Sequence, residues 1–310
     1  MGYNNVCVEE QKDNSYQVIS ISTDDYIITE ELIREQEENS KVKQDEIEFD
    51  KLKKQFFANL SHEFKTPLNI IFSSINMMDY YIKHDQNYRN DKKLALYLET
   101  ARRSSYRLLR LIDNLIDLTK IDADSFDLNF EKCDIVLLTT EIANSVASYM
   151  EKINRTFTYN IDVEKEEIIC DPVSIERILL NLFSNAVKFT EKNDKIHLKL
   201  FKKNNKIIIM VKDTGIGIKE RDKEKIFEKF RQVDKSFTRH NEGCGLGLAL
   251  VKSLVNLHHG NISVNSTYGQ GSEFIIKLPI SGQKKVNYNV QTTANNLISK
   301  TKLEFSDIYF

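Results

Sequence analysis

The chain has 310 residues, 41% of them hydrophobic, and its 44 lysines and arginines nearly balance 46 aspartates and glutamates for a formal net charge of −2. That length suits about two domains, each with enough apolar material to bury an ordinary core. The balanced charge supplies no global field to draw nucleic acid or an anionic membrane surface.

No run approaches the roughly 18 apolar residues of a membrane helix. The start, Met1-Gly-Tyr-Asn-Asn, has neither a charged lead nor an apolar signal core. The expectation is a cytoplasmic protein with no membrane span of its own. Cys7, Cys133, Cys170 and Cys244 lie far apart and form no CxxC pair, which argues for reduced thiols rather than a zinc site or a disulfide framework.

Residues 1–29 hold short β-like pieces, Val6-Cys7-Val8, Tyr16 to Ile21 and Tyr26-Ile27-Ile28, a small appendage without enough material for its own core. Residues 30–54 are highly charged, and Val42, Phe49, Leu52 and Phe56 are spaced by sevens, threes and fours, which predicts a short coiled-coil-like helix. Residues 55–127 then read as a helical hairpin. Its first helix has Phe57, Leu60, Phe64, Leu68, Ile71, Ile75 and Met78 as the seam, and its second has Leu94, Leu98, Ala101, Ser105, Leu108, Ile112 and Leu115. A polar stretch from His84 to Lys93 separates them. One hairpin leaves a long apolar stripe open, so two copies are expected to pair as a four-helix bundle, making a homodimer.

Within the first helix, Phe57-Ala-Asn-Leu60-Ser-His62-Glu63-Phe64-Lys65-Thr66-Pro67-Leu68 sets His62 off the apolar seam and beside an acid. A solvent-facing imidazole titrates near neutrality and is nucleophilic when unprotonated, and Glu63 can accept its ring proton. His84, His197, His240, His258 and His259 lack that adjacent acid in a helical setting and read as structural or surface residues.

Residues 128–281 turn mixed. Helices are predicted at 134–152, 172–189, 219–229 and 245–258, and strands at 156–163, 195–202, 206–212, 261–266 and 273–278, so that helices cover one face of a mixed sheet in an α/β sandwich. Residues 282–310 read as a polar linker ending in a short apolar tail at Leu303, Phe305 and Ile308-Tyr309-Phe310.

Four motifs follow in order within the mixed domain. Asn181-Leu-Phe-Ser-Asn185-Ala-Val-Lys188-Phe-Thr puts two amides and a lysine on one helix face, where amide oxygens suit Mg²⁺ and the lysine suits phosphate. Asp213-Thr-Gly215-Ile-Gly217 follows a strand, with a carboxylate able to accept from an exocyclic amine and glycines that let backbone turn against a flat base. Ile226-Phe-Glu-Lys-Phe230 is an aromatic anchor. Gly243-Cys-Gly245-Leu246-Gly247-Leu-Ala-Leu runs from a glycine-rich loop into a helix, whose free N–H groups suit phosphate oxygens. The polar stretch between Phe230 and Gly243, with Lys235, Arg239 and His240, reads as a lid over a triphosphate, and Cys244 within the last motif reads as a tolerated small residue.

The string around His62 closely resembles the H-box of sensor histidine kinases, and Ile121-Asp-Ala-Asp-Ser resembles the exit from their dimerisation hairpin. The four later motifs resemble the N, G1, F and G2 boxes of the GHKL ATPase fold found in those kinases, and Gly269-Gln-Gly271-Ser-Glu-Phe274 resembles its final glycine turn and closing strand. The resemblance covers about residues 50–280. It implies an ATP- and Mg²⁺-dependent kinase that phosphorylates its own His62 and passes the group to an aspartate on a response-regulator receiver domain. By the same resemblance Glu63 is the general base, Asn185 a Mg²⁺ ligand, and Asn181 and Lys188 phosphate-side contacts. Asp213 holds adenine beside Gly215 and Gly217, while Arg239, Gly243, Gly245 and Gly247 lie at the γ-phosphate end and Phe230 and Leu246 complete the ATP-binding set. Glu63-Phe-Lys-Thr66 further resembles the family's E-x-x-T/N phosphatase motif, in which Thr66 orients a water toward the regulator's phosphoaspartate. An upstream sensor protein is a further open partner, and no nucleic acid is expected.

Three rival readings fit the motifs less well. A GHKL ATPase of the gyrase or Hsp90 kind carries a water-activating glutamate where this chain has Asn181. A serine kinase of the anti-sigma type lacks the hairpin with its His-Glu pair. A catalytically weak nucleotide-binding dimeric scaffold would be expected to have lost motif residues, and none is visibly lost.

Overall fold

The computed structural model describes residues 6–10, 16–20, 43, 51, 54, 57–82, 91–229, 245–280 and 305. The chain divides into two compact units, Met1–Gln55 and Phe56–Phe310. In the first, β1 (Val6–Glu10) and β2 (Tyr16–Ser20) form an antiparallel pair with Val6 opposite Ser20 and Glu10 opposite Tyr16. Residues 43, 51 and 54 are helical. The β-like piece at Tyr26–Ile28 and most of the coiled-coil-like helix lie outside the described residues.

The second unit begins with α1 (57–82) and α2 (Asp91–Asp122), the two arms of the hairpin. The buried positions on α2 are Ala101, Ser104, Arg107, Arg110, Leu111, Asn114 and Leu118, whereas Leu98 and Ile112 of the predicted seam stay exposed, as do Phe57, Leu68 and Ile75 on α1. The spacing marks out the apolar stripe. It cannot distinguish a face turned to the chain's own elements from one left to solvent, and the inward face of α2 is half polar.

Next comes β3 (Glu131–Asp134), antiparallel to β5 (Glu167–Cys170) in a small two-stranded sheet. Neither strand is predicted from the sequence, because four residues are too few to show an alternation. Each is followed at once by a capped helix. The Asp134 carboxylate accepts from the N–H groups of Val136 and Leu137 to start α3 (Ile135–Lys152). Asp171 does the same for Val173 and Ser174 at α4 (Pro172–Lys188), where Pro172 occupies the first turn at no hydrogen-bond cost.

The main sheet has the order β4 (Thr156–Ile161), β6 (Lys195–Lys203), β7 (Lys206–Asp213), β9 (Gly271–Pro279), β8 (Asn261–Thr267). β4 runs parallel to β6 and every other pair is antiparallel. Asn204 and Asn205, at φ 49° and 55°, make the tight turn between β6 and β7, a conformation asparagine tolerates well. With α5 (Gly247–Leu257), α3 and α4 cover one face of this sheet. Val146 and Met150 of α3, Leu179 and Phe183 of α4 and Leu250 and Leu254 of α5 bury against Leu198, Leu200, Ile209, Val211 and Ile276. Each such side chain contributes about 1.5–3 kcal/mol relative to exposure.

The helix expected over 219–229 is not formed. Two short 3₁₀ turns, Glu220–Asp222 and Lys225–Phe227, stand there instead, neither with a side-chain cap, and only Phe227 of the two turns is buried. Ile226 and Phe227 are adjacent rather than three or four apart, so no apolar stripe exists to hold a longer helix. In the C-terminal stretch, Phe305 is 2% exposed and its ring packs on Tyr149 of α3, centroids 4.6 Å apart. The rest of the predicted linker and tail after Ile280 lies outside the described residues.

Candidate active site

His62 is exposed on α1, one residue from a carboxylate that is not. Glu63 is buried, and its Oε2 accepts from Arg107 Nη2 of α2 at 2.7 Å. One turn on, Thr66 Oγ1 donates to the His62 carbonyl at 3.1 Å. Pro67, buried and without an N–H, leaves the Glu63 carbonyl without its regular helical donor.

The nucleotide motifs converge at one end of the sheet. Helix α4 presents Asn181, Asn185 and Lys188 at spacings of four and three. Asn181 is buried and its Nδ2 donates to the Arg177 carbonyl at 3.0 Å, which leaves Oδ1 as the atom available beyond its own helix. That oxygen lies against the start of α5: a Cβ added at Gly247 would stand 2.9 Å from it. Leu246, fully buried, is the N-cap of α5, preceded by Gly245 at φ 70°. The first N–H groups of this eleven-residue helix have no partner within it, so they are free to meet anionic oxygens.

Asp213 ends β7 and is 4% exposed. Its Oδ1 accepts from Gly215 N at 2.9 Å and Ser272 N at 3.3 Å. Burial pushes its pKa up to about 6, against the pull of those two N–H bonds, and Asp194 adds to the rise. The loop that follows is fastened to the end of α4, since Ile216 N donates to the Phe189 carbonyl at 3.2 Å. A Cβ at Gly215 would sit 2.0 Å from that same carbonyl oxygen, so only glycine permits the approach. Gly217 follows at φ 66°. Phe230, Arg239 and Gly243, with the lid between them, lie outside the described residues.

Several residues that shape the site were not anticipated. Arg107, which holds Glu63, belongs to a polar stripe on α2 with Arg110, Asn114 and Asp117. Arg177 of α4 makes an ion pair with Asp117 and donates from Nη2 to Asn114 Oδ1 at 2.8 Å, and Arg110 Nη1 donates to Ser184 Oγ at 3.3 Å. Lys229 pairs with Asp122 at the end of α2. The stripe is visible in the sequence as polar residues at spacings of three, four and three. A search for apolar seams passes over it.

Residues 52–124 match the family described as His Kinase A (phospho-acceptor) domain, and residues 170–282 match Histidine kinase-, DNA gyrase B-, and HSP90-like ATPase. The chain belongs to the sensor histidine kinase family. It is 34% identical over 229 residues to the circadian input-output histidine kinase CikA of Synechococcus elongatus, a match that covers 73% of this chain and 30% of that protein. Full-length ShkA in complex with AMPPNP superposes with a TM-score of 0.54 and 25% identity, over 74% of this chain and 46% of that one. Histidine kinase ThkA, solved in complex with the response regulator protein TrrA, shares the fold at a TM-score of 0.52 and 22% identity, over 90% of this chain and 75% of that one. The chain thus spans less than half the length of CikA and of ShkA. The ATPase-family match takes in Asn181, Asn185, Lys188, Asp213 and Gly247.

Proposed function

We propose that this chain is an ATP-dependent protein-histidine kinase of a two-component system, which phosphorylates His62 and passes the phosphoryl group to an aspartate on a response-regulator receiver domain. The observation that carries the reading is an exposed histidine on a phospho-acceptor hairpin, joined in one chain to a fold that buries Asp213 beside two close-approach glycines. In the reaction an unprotonated His62 ring nitrogen attacks the γ-phosphorus of ATP while the bond to the β–γ bridging oxygen breaks and ADP leaves. Glu63 takes the proton from the ring. In the conformation described, that carboxylate is engaged by Arg107, so proton transfer requires the ion pair to loosen.

Positioning and electrostatics carry most of a phosphoryl transfer. Asp213, beside Gly215 and Gly217, accepts from the adenine amine. Asn181 and Lys188 meet the phosphates, the N-terminus of α5 with Gly245, Leu246 and Gly247 serves the triphosphate, and Phe230, Arg239 and Gly243 complete the ATP-binding set by family resemblance. Asn185 would hold Mg²⁺, its amide oxygen being a hard donor that suits an ion keeping most of its waters. When bound, Mg²⁺ neutralises charge on the phosphates. Thr66 serves the reverse flux, orienting water toward a regulator's phosphoaspartate.

The exposed apolar stripe on both hairpin helices supports a homodimer, and the regulator bound to ThkA supports a receiver domain as partner. An upstream sensor protein would act through the segment before α1. Among the described residues no helix is long and apolar enough to cross a membrane. A kinase that draws on the ATP pool and on receiver domains belongs in the cytoplasm. Incubation with γ-labelled ATP and Mg²⁺ tests the reading: the label should be acid-labile and alkali-stable, whereas label that survives acid would place the phosphoryl group on a hydroxyl and contradict it.

A further inference from the structure

Cys133 in β3 and Cys170 at the end of β5 come together although their spacing in sequence gives no hint of it. In the antiparallel register Cys133 faces Ile168 and Cys170 faces Glu131, which makes the two cysteines diagonal neighbours on one side of the ladder. That places the Cys170 thiol near enough to Cys133 to donate a hydrogen bond toward it, and both cysteines are free. Cys170 is buried and Cys133 half-buried. The bond from Cys170 holds the Cys133 pKa below the usual thiol range, with burial and the acids Glu131, Asp134 and Glu141 working the other way. Cys170 is pushed up, first by that bond and then by burial. One sulfur is therefore reachable and richer in thiolate, while the other is a sheltered reserve.

The location gives the pair leverage. Cys170 immediately precedes Asp171, whose carboxylate accepts from Val173 N at 3.1 Å and from Ser174 Oγ at 2.8 Å, and whose own N–H donates to His258 Nε2 at 3.0 Å. Asp171 caps α4, the helix that carries Asn181, Asn185 and Lys188. A displacement at Cys170 is passed to the root of the nucleotide helix.

We propose that Cys133 and Cys170 are a peroxide-oxidisable dithiol, a reversible disulfide site whose closure weakens nucleotide binding through α4. The Cys133 thiolate attacks one oxygen of hydrogen peroxide and becomes a sulfenic acid as hydroxide leaves. Cys170 sulfur then attacks Cys133 sulfur, and the Cys170 proton departs with the sulfenic hydroxyl as water. Two thiols are oxidised to one disulfide while one peroxide is reduced to two waters. Diagonal strand neighbours usually stand about 7–8 Å apart between Cα atoms, and disulfides usually span no more than about 6.8 Å. Closing the bond therefore draws β3 and β5 together and moves Asp171.

The test uses the full chain, reduced, then titrated with hydrogen peroxide, alkylated and mapped by peptide mass, with affinity for a fluorescent ATP analogue measured at each step. A linked Cys133–Cys170 peptide should appear ahead of any link to Cys7 or Cys244, affinity should fall at least about fivefold, the lower end of ordinary coupling, and dithiothreitol should restore it. Cys133→Ser and Cys170→Ser should each abolish the link and leave affinity insensitive to peroxide. Absence of the linked peptide, a link without loss of affinity, or a loss that persists in both serine variants would overturn the proposal. The wild-type map decides even where a serine variant fails to fold. Failure of the reduced chain to bind nucleotide would instead count against the kinase reading, while the linked peptide would still decide the dithiol.

Discussion

Arg107 reaches across the hairpin from α2 to Glu63 on α1, its Nη2 2.7 Å from the carboxylate oxygen, with both side chains only 7% exposed. The acid beside His62 is therefore held by a cation from the neighbouring helix. A buried pair gains little over an apolar pair of the same shape, but breaking it strands a charge, at about 3–5 kcal/mol. Arg107→Ala should lower the urea unfolding free energy by about that amount, and adding Glu63→Gln should recover part of it. A single variant as stable as wild type, or a double variant no better than the single, would show that the pair does not hold the hairpin.

The apolar stripe predicts the assembly state. Leu98 is 61% exposed and Ile112 37% exposed on α2 within a single chain. The wild type should sediment as a dimer and the doubly substituted Leu98→Glu, Ile112→Glu protein as a monomer that keeps its affinity for ATP, because neither residue is among those proposed for the nucleotide site. A wild-type chain that is already monomeric at micromolar concentration would refute the four-helix arrangement.

Asp213 makes a prediction about pH. Burial raises its folded pKa from 3.8 to about 6, so folding favours the protonated carboxyl. The group's contribution to stability is thus fully present below the unfolded value and is lost as pH rises through about 6. Adenine recognition runs the opposite way, since an amine donor binds best to an ionised acceptor. Affinity for ATP should rise as pH climbs through about 6, beyond the change caused by titration of the nucleotide's own phosphate, and Asp213→Asn should bind more weakly and lose that step. Identical pH profiles for the two proteins would remove Asp213 from adenine recognition.

Much of the fold was legible because its signals are local. Ile196, Leu198 and Leu200 alternate along β6, and Asp171 followed by Pro172 marks the start of α4 before an apolar face begins. The motif order around Asn181, Asp213 and Gly247 was equally readable. What escaped depends on partners far away in sequence. Nothing near Arg107 announces Glu63, nothing near Cys133 announces Cys170, and Ser272 supplies its N–H to Asp213 from another strand. Short strands such as β3 and β5 exist because they pair with each other, and four residues carry no period of their own.

The role proposed for Thr66 can be told apart from a structural one. Its hydroxyl now donates to the His62 carbonyl, a bond it can surrender without unwinding the helix, since exposed turns of this kind contribute little. Thr66→Ala should retain substantial autophosphorylation while slowing dephosphorylation of a phosphorylated regulator by about a hundredfold or more, the low end for a lost proton-handling or water-positioning group. If both activities fall together, the hydroxyl is structural.

The central claim, that His62 accepts the phosphoryl group, is tested most directly by His62→Gln, followed for label from γ-labelled ATP alongside its affinity for the nucleotide. His62 sits on α1 while Asn181 and Asp213 sit on α4 and β7, so acceptor and pocket are separable. The variant should take up no acid-labile label and bind ATP as the wild type does. Label retained at the wild-type level would put the acceptor on another residue and contradict the assignment.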